Sequence, residues 1–126
     1  MELKRLSRML KTVSNEKRLR ILALLEKSDR SICVCEFVDA LDMPQYQVSQ
    51  HLRELRNEKI VTGERKGTWV YYSLSEELPP GPRSIIDTLV KGLDNKDVEK
   101  DVERLSERME KREGGKCVVG YEDEDE

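Results

Sequence analysis

Apolar residues return every three or four positions from the start of the chain. Leu3, Leu6, Leu10 and Val13 make one stripe, and Leu19, Ile21, Leu22 and Leu25 make a second. Ser14 and Asn15 interrupt them and can cap the second stripe, so the pattern predicts two successive helices. "KSDRS" reads as a turn. Ile32 and Cys33 then suit a very short strand ahead of a helix over roughly residues 35–41, with Phe37, Val38 and Leu41 facing inward. Asp42-Met43-Pro44 closes that helix and opens another, since proline is tolerated at a first helical position. This next helix runs to about Asn57 and turns Val48, Leu52 and Leu55 toward the core. The period then shortens to two over residues 60–65 and 68–74, predicting two strands joined at "RKG".

Beyond "EELPPGP", which reads as a stiff linker, Ile85, Ile86, Leu89, Val90 and Leu93 mark another helix. A last one, from Asn95 to Arg112, carries Val98, Val102, Leu105 and Met109 at spacings of four, three and four. So narrow a seam, flanked by charge, calls for a partner helix. Gly114-Gly115 then opens an acidic tail with the composition of a disordered segment. The expected fold is mainly α with a small β-hairpin: a winged helix-turn-helix dimerising through its N- and C-terminal helices. The expected division is residues 1–78 for DNA binding, 79–112 for dimerisation and 113–126 as a flexible acidic tail.

Composition changes this picture in two places. The net charge of −3 argues against a nucleic-acid partner until its distribution is read. Residues 113–126 hold six acids against one lysine, leaving +2 for residues 1–112, and residues 1–30 hold nine basic side chains against four acidic ones. The second concerns the helix after Pro44. With 39% charged residues, solvated faces here are crowded with Lys and Glu. The outer side of this helix is instead Gln45, Tyr46, Ser49, Gln50 and Arg53. No apolar run is long enough to span a bilayer, and "MELKRLSRML" lacks a signal-peptide core, so a cytoplasmic protein is expected. Three cysteines, an odd number, argue for reduced thiols and against a disulfide framework.

Four segments in this order, "KRLRILALL", "SICVCEFVDAL", "MPQYQVSQHLRELRNEKIV" and "RKGTWVYYSL", resemble the ArsR/SmtB family of metal-sensing winged-helix repressors. The resemblance covers roughly residues 10–75. It implies a homodimer that binds an inverted-repeat operator in double-stranded DNA without any cofactor and lets go when metal binds. It also places the helix from Pro44 to Asn57 in the major groove. Gln45, Tyr46, Gln47, Ser49 and Gln50 then become base or sugar contacts, with Arg53 beside them, because a glutamine amide can read adenine bidentately and arginine can meet guanine or phosphate. Arg65 and Lys66 at the wing tip are expected to reach the phosphates. His51 belongs to the same group, although it also borders the Val48–Leu52 stripe and suits a packing role.

Cys33 and Cys35 cannot clamp one ion from mid-helix, since residues two apart diverge there. At a strand-to-helix junction both sulfurs can turn the same way, and a helix start favours the thiolate. Family members with "CVC" here sense arsenite or antimonite, or cadmium and lead with extra cysteines. The third cysteine common in the arsenite type is replaced by Val38, the N-terminal cysteine pair of the cadmium type is lacking, and the histidines of the zinc type are missing. As(III) or Sb(III) is therefore the expected inducer, ahead of Cd(II), Pb(II) and Zn(II). Cys117 is a candidate third ligand, set against the plainer role of an unused tail thiol. Three other readings stand beside metalloid sensing. They are a redox switch using the same pair, a constitutive DNA-binding protein with inert cysteines, and a thiol oxidoreductase, which would need a βαβ scaffold that the pattern does not supply. An enzyme is not expected.

Overall fold

Asn15 caps the helix on which the rest is built. Its side chain accepts a hydrogen bond from the Arg18 N–H at 3.1 Å, opening α2 (Glu16–Ser28). Every residue from Ile21 to Leu25 is buried, so the middle of α2 is covered on all sides and lies at the centre of the core, with charged residues at both ends of the helix. The computed structural model describes residues 1–113. Ahead of α2, helix α1 (Leu3–Val13) turns Met9 and Val13 inward. Leu3 and Leu10, expected on the buried stripe, are exposed on its outer side.

The short strand β1 (Ile32–Cys33) leads into α3 (Val34–Leu41). Asp42 takes a left-handed conformation, φ 54°, and its N–H bonds back to the Val38 carbonyl, which turns the chain sharply. Helix α4 (Gln45–Asn57) comes next, with Pro44 at the N-cap rather than at the first helical position. Strands β2 (Val61–Lys66) and β3 (Trp69–Leu74) form the wing, closed at Gly67, whose φ of 65° suits glycine. The sheet order is β1-β3-β2, antiparallel throughout, with Cys33 opposite Tyr71 and Lys66 opposite Trp69.

Two expectations change beyond the wing. The sequence Pro80-Gly81-Pro82 is the first turn of α5 (Pro80–Lys91), not a linker, since prolines fit where helical N–H groups have no partner anyway. Helix α6 (Asn95–Met109) finds its partner within the chain: Val98 and Leu105 join the same core as α2 and α3. Charge completes that packing. Asp101, buried, accepts from Arg20 (2.8 Å) and from Arg104 (2.8 Å), and the Arg108 guanidinium lies 2.6 Å from Asp39 of α3. Hydrogen bonding to Asp101 raises the Arg20 pKa above its ordinary value, outweighing the cost of burial. Among the described residues, no helix is long and apolar enough to cross a membrane.

Candidate functional site

Cys33 is the N-cap of α3, with extended backbone (φ −89°, ψ 164°), and Cys35 lies in the first helical turn. The change of conformation between them lets both side chains face the same way, and their sulfurs stand 2.9 Å apart. Each residue is only 1% exposed. They form a small cluster with the buried Tyr71, and Trp69 packs against it.

An acid and a base fix this cluster. Glu36 is fully buried and accepts from the Cys33 N–H at 3.0 Å, the returning arm of a capping box. Both of its oxygens are also held by Arg112, at 2.6 Å from Nε and 2.5 Å from the terminal nitrogen. That terminal nitrogen donates in addition to the Ser31 carbonyl at 2.8 Å. The guanidinium lies 5.3 Å from the centre of the Tyr71 ring. Hydrogen bonding to Glu36 is the largest influence on Arg112 and raises its pKa, so the cation is secure despite burial.

At the other end of α3, Arg104 donates to the Ala40 carbonyl at 2.7 Å and Arg20 to the Leu41 carbonyl at 3.0 Å. These are the last carbonyls of the helix, which have no intrahelical partner. Soon after them α4 begins, at Gln45. Its expected reading residues divide in two. Gln45, Tyr46, Gln50 and Arg53 are exposed, Tyr46 at 67%. Gln47 is half-buried and accepts from Lys17 at 3.0 Å, while Ser49 accepts from Gln45 at 2.9 Å. His51 is half-buried against α2, its Nδ1 accepting from Arg18 Nε at 3.1 Å. Burial, then Arg18 and Lys17, push its pKa below the usual histidine value, so the ring stays neutral and suited to that bond. Arg65 and Lys66 are exposed on the wing, with the Lys66 ammonium 5.8 Å from the centre of the Tyr71 ring.

A family model described as "Bacterial regulatory protein, arsR family" matches residues 15–62, from the cap of α2 into β2. An HTH-type transcriptional regulator of Methanocaldococcus jannaschii, MJ1325, is 34% identical over 79 residues, covering 63% of this chain and 88% of that protein. The chain belongs to the arsR family. Another member, the arsenic resistance transcriptional regulator ArsR1 of Pseudomonas putida, is 36% identical over 83 residues, or 66% of this chain and 61% of that one. The chain spans about three-fifths of the length of the arsenic-resistance regulators it matches. In three dimensions it is similar to reduced HlyU from Vibrio cholerae, with a TM-score of 0.60 and 31% identity over 70% of this chain and 87% of that one. The relatives' names are those of transcriptional regulators, in keeping with a family that is not enzymatic.

The two convergent sulfurs fit a thiophilic ion at two positions. Among the described residues, no group of three His, Cys, Asp or Glu side chains could hold a metal ion. Val38 occupies the position at which the resemblance implies a third cysteine, and Cys117 falls outside the described residues. Sequence reasoning missed Glu36, Arg112 and Tyr71. For Glu36 a signal was present: cysteine, two residues, then glutamate is capping-box spacing with sulfur in place of the usual hydroxyl. Arg104, Arg108 and Arg112 recur every four residues, but Arg112 lies past the end of α6, and nothing local names Asp39 and Glu36 as the acids that Arg108 and Arg112 meet.

Proposed function

We propose that this chain is a dimeric winged helix-turn-helix repressor that holds an inverted-repeat operator and releases it when As(III) or Sb(III) bonds Cys33 and Cys35. One observation carries the proposal. Two buried sulfurs converge at the start of the helix whose other end leads directly into α4. Arsenous acid would form two As–S bonds there, each thiol proton leaving with one arsenic hydroxyl as water. Two new bonds of fixed angle at an N-cap change the geometry of the first turn of α3, and a rigid eight-residue helix carries that change toward α4. The third position keeps the remaining arsenic hydroxyl, or exchanges it as a further water for Cys117 or a small thiol, and Cys117→Ser separates these cases.

On the DNA side, the exposed face of α4 offers Gln45, Tyr46, Gln50 and Arg53 to the major groove, and the wing offers Arg65 and Lys66 to the phosphates. Gln47, Ser49 and His51 act from one layer behind, through Lys17, Gln45 and Arg18. Residues 1–78 thus read DNA. Residues 79–112 cover the core and present Ile85 and Leu89, exposed one turn apart on α5, to a second copy. Leu3 and Leu10 offer a further uncovered apolar face. Two-fold pairing over these faces would set the reading helices about 34–36 Å apart. The setting is the cytoplasm, where thiols stay reduced.

A second reading uses the same pair. The thiols would give two electrons and two protons to hydrogen peroxide, forming a disulfide and two waters. The 2.9 Å sulfur separation favours it, as does likeness to a protein whose reduced form has its own structure. Parallel titration of the reduced protein on its upstream DNA with arsenite, cadmium, zinc and peroxide decides. Release by arsenite at the lowest concentration is expected. Release by peroxide alone would favour the redox switch, and release by none would leave a constitutive DNA-binding protein.

A further inference from the structure

We propose that Arg112 is the positioning residue that couples the thiol pair to the DNA-contacting elements; this rests on the sensing reading above. Its guanidinium spans the Ser31 carbonyl ahead of β1, the Glu36 carboxylate in the first turn of α3, and the Tyr71 ring on β3. Those three segments surround Cys33 and Cys35. Glu36 is in turn bonded to the Cys33 N–H, so movement of the N-cap reaches Arg112 through that carboxylate.

From Arg112 two paths lead outward. One runs back along the chain into α6, which ends three residues before Arg112 at Met109. Arg108 holds Asp39 and Arg104 holds the Ala40 carbonyl, both on α3, the latter at the end where the chain turns into α4. The other crosses Tyr71 to the wing. The ring lies 5.3 Å from the Arg112 guanidinium and 5.8 Å from the Lys66 ammonium, and Tyr71 pairs with Cys33 in the sheet. A tyrosine contacted by both cations, one beside the thiols and one at the wing tip, links the ligand site to the phosphate-contacting strand.

Burial makes the pair suited to switching. The side chain of Glu36 is 0% exposed and that of Arg112 is 7% exposed. Separating such ions costs each the partner it meets here, away from water, so the pair has two arrangements, closed or broken, with little between. A ligand bridging the sulfurs displaces the Cys33 N-cap and with it the Glu36 carboxylate, so the Glu36–Arg112 contact breaks. Sensing and DNA affinity are thereby linked through one ion pair.

Trp69 is the chain's single tryptophan and packs against the thiol cluster, so its fluorescence reports ligand binding independently of DNA. The test compares the full-length wild type with Arg112→Gln and Arg112→Lys. It measures the Trp69 response to arsenite, operator affinity with and without arsenite, and thermal unfolding. Arg112→Gln should keep the Trp69 response while the arsenite-dependent ratio of operator affinities shrinks about tenfold. Arg112→Lys keeps the charge without the planar fork and should fall between that variant and the wild type. A wild-type ratio in both variants would overturn the proposal, as would a drop in unfolding temperature with the ratio unmoved. Should Arg112→Gln not fold, Arg112→Lys alone decides on the same ratio. If the wild type shows neither a Trp69 response nor release, the sensing reading itself fails.

Discussion

The thiol cluster and the outer face of α4 differ most in their exposure to water. Cys33, Cys35 and Glu36 are sealed in the core, whereas Tyr46 leads a face of exposed amides and Arg53. On the proposed function, the α4 face is ready before DNA arrives. Its side chains would need only to exchange water for bases and phosphates, which favours fast encounter and modest cost per contact. The thiol cluster is the reverse. No ligand can enter without displacing packed groups, so occupancy must alter α3, Tyr71 or Arg112. Exposure suits recognition, and burial suits a switch.

The largest expected break of this contrast is Glu36→Ala. It takes the Glu36 carboxylate away from the buried Arg112 guanidinium and removes the cap on the Cys33 N–H, so stability should fall by about 3–5 kcal/mol. Urea unfolding monitored at Trp69 measures it. A loss below about 1 kcal/mol would show that water reaches the pair and that the cluster is not sealed.

Two substitutions sharpen the other side of the comparison. Gln50→Ala should cost about 1–3 kcal/mol on the operator and little on scrambled duplex, relaxing sequence preference. Lys66→Ala should weaken all duplexes alike and reduce the slope of log affinity against log salt by about 0.9. Equal losses on both duplexes for Gln50→Ala would move base reading away from α4.

The smallest effect belongs to His51, which lies between the two environments. Its pKa is lowered in the folded protein, from 6.5, so the unfolded chain binds the proton more readily. The stability it contributes is complete above about pH 6.5 and is lost as pH falls toward the folded value. Protonation also removes the lone pair that accepts from Arg18. His51→Gln should flatten the stability profile below about pH 6.5, as urea midpoints at about pH 5 and pH 7 would show.

These differences also explain how far the sequence could be read. The face of α4 stood out because Gln, Tyr and Ser interrupt a chain otherwise crowded with Lys and Glu, and exposed composition is a local property. The strand-to-helix junction at Cys33 was legible for the same reason: a break in period lies within a few residues. Partners distant in sequence were not. Glu36 and Arg112 are separated by 76 residues, and only folding shows that Arg108 on α6 and Arg112 just beyond it meet Asp39 and Glu36 on α3. The seam of α6 called for a partner helix without specifying whether it lay in this chain. On α1, Met9 took the buried position expected for Leu10, because an angular shift of one residue turns a neighbouring side chain to the core. Pro80-Gly81-Pro82 carries the signals of both a linker and a helix start, and only the packing of Ile86 and Val90 into the core chooses.

The most direct test of the central claim is an arsenite titration of reduced protein bound to its operator, comparing wild type with Cys33→Ser and Cys35→Ser. Each substitution removes one sulfur donor with little change in volume, so folding and operator affinity without arsenite should stay close to wild type. Release should then occur in the wild type and be lost in both variants. Release of either variant at wild-type arsenite concentrations would contradict the account, because the sealed pair would not be the site through which the ligand acts.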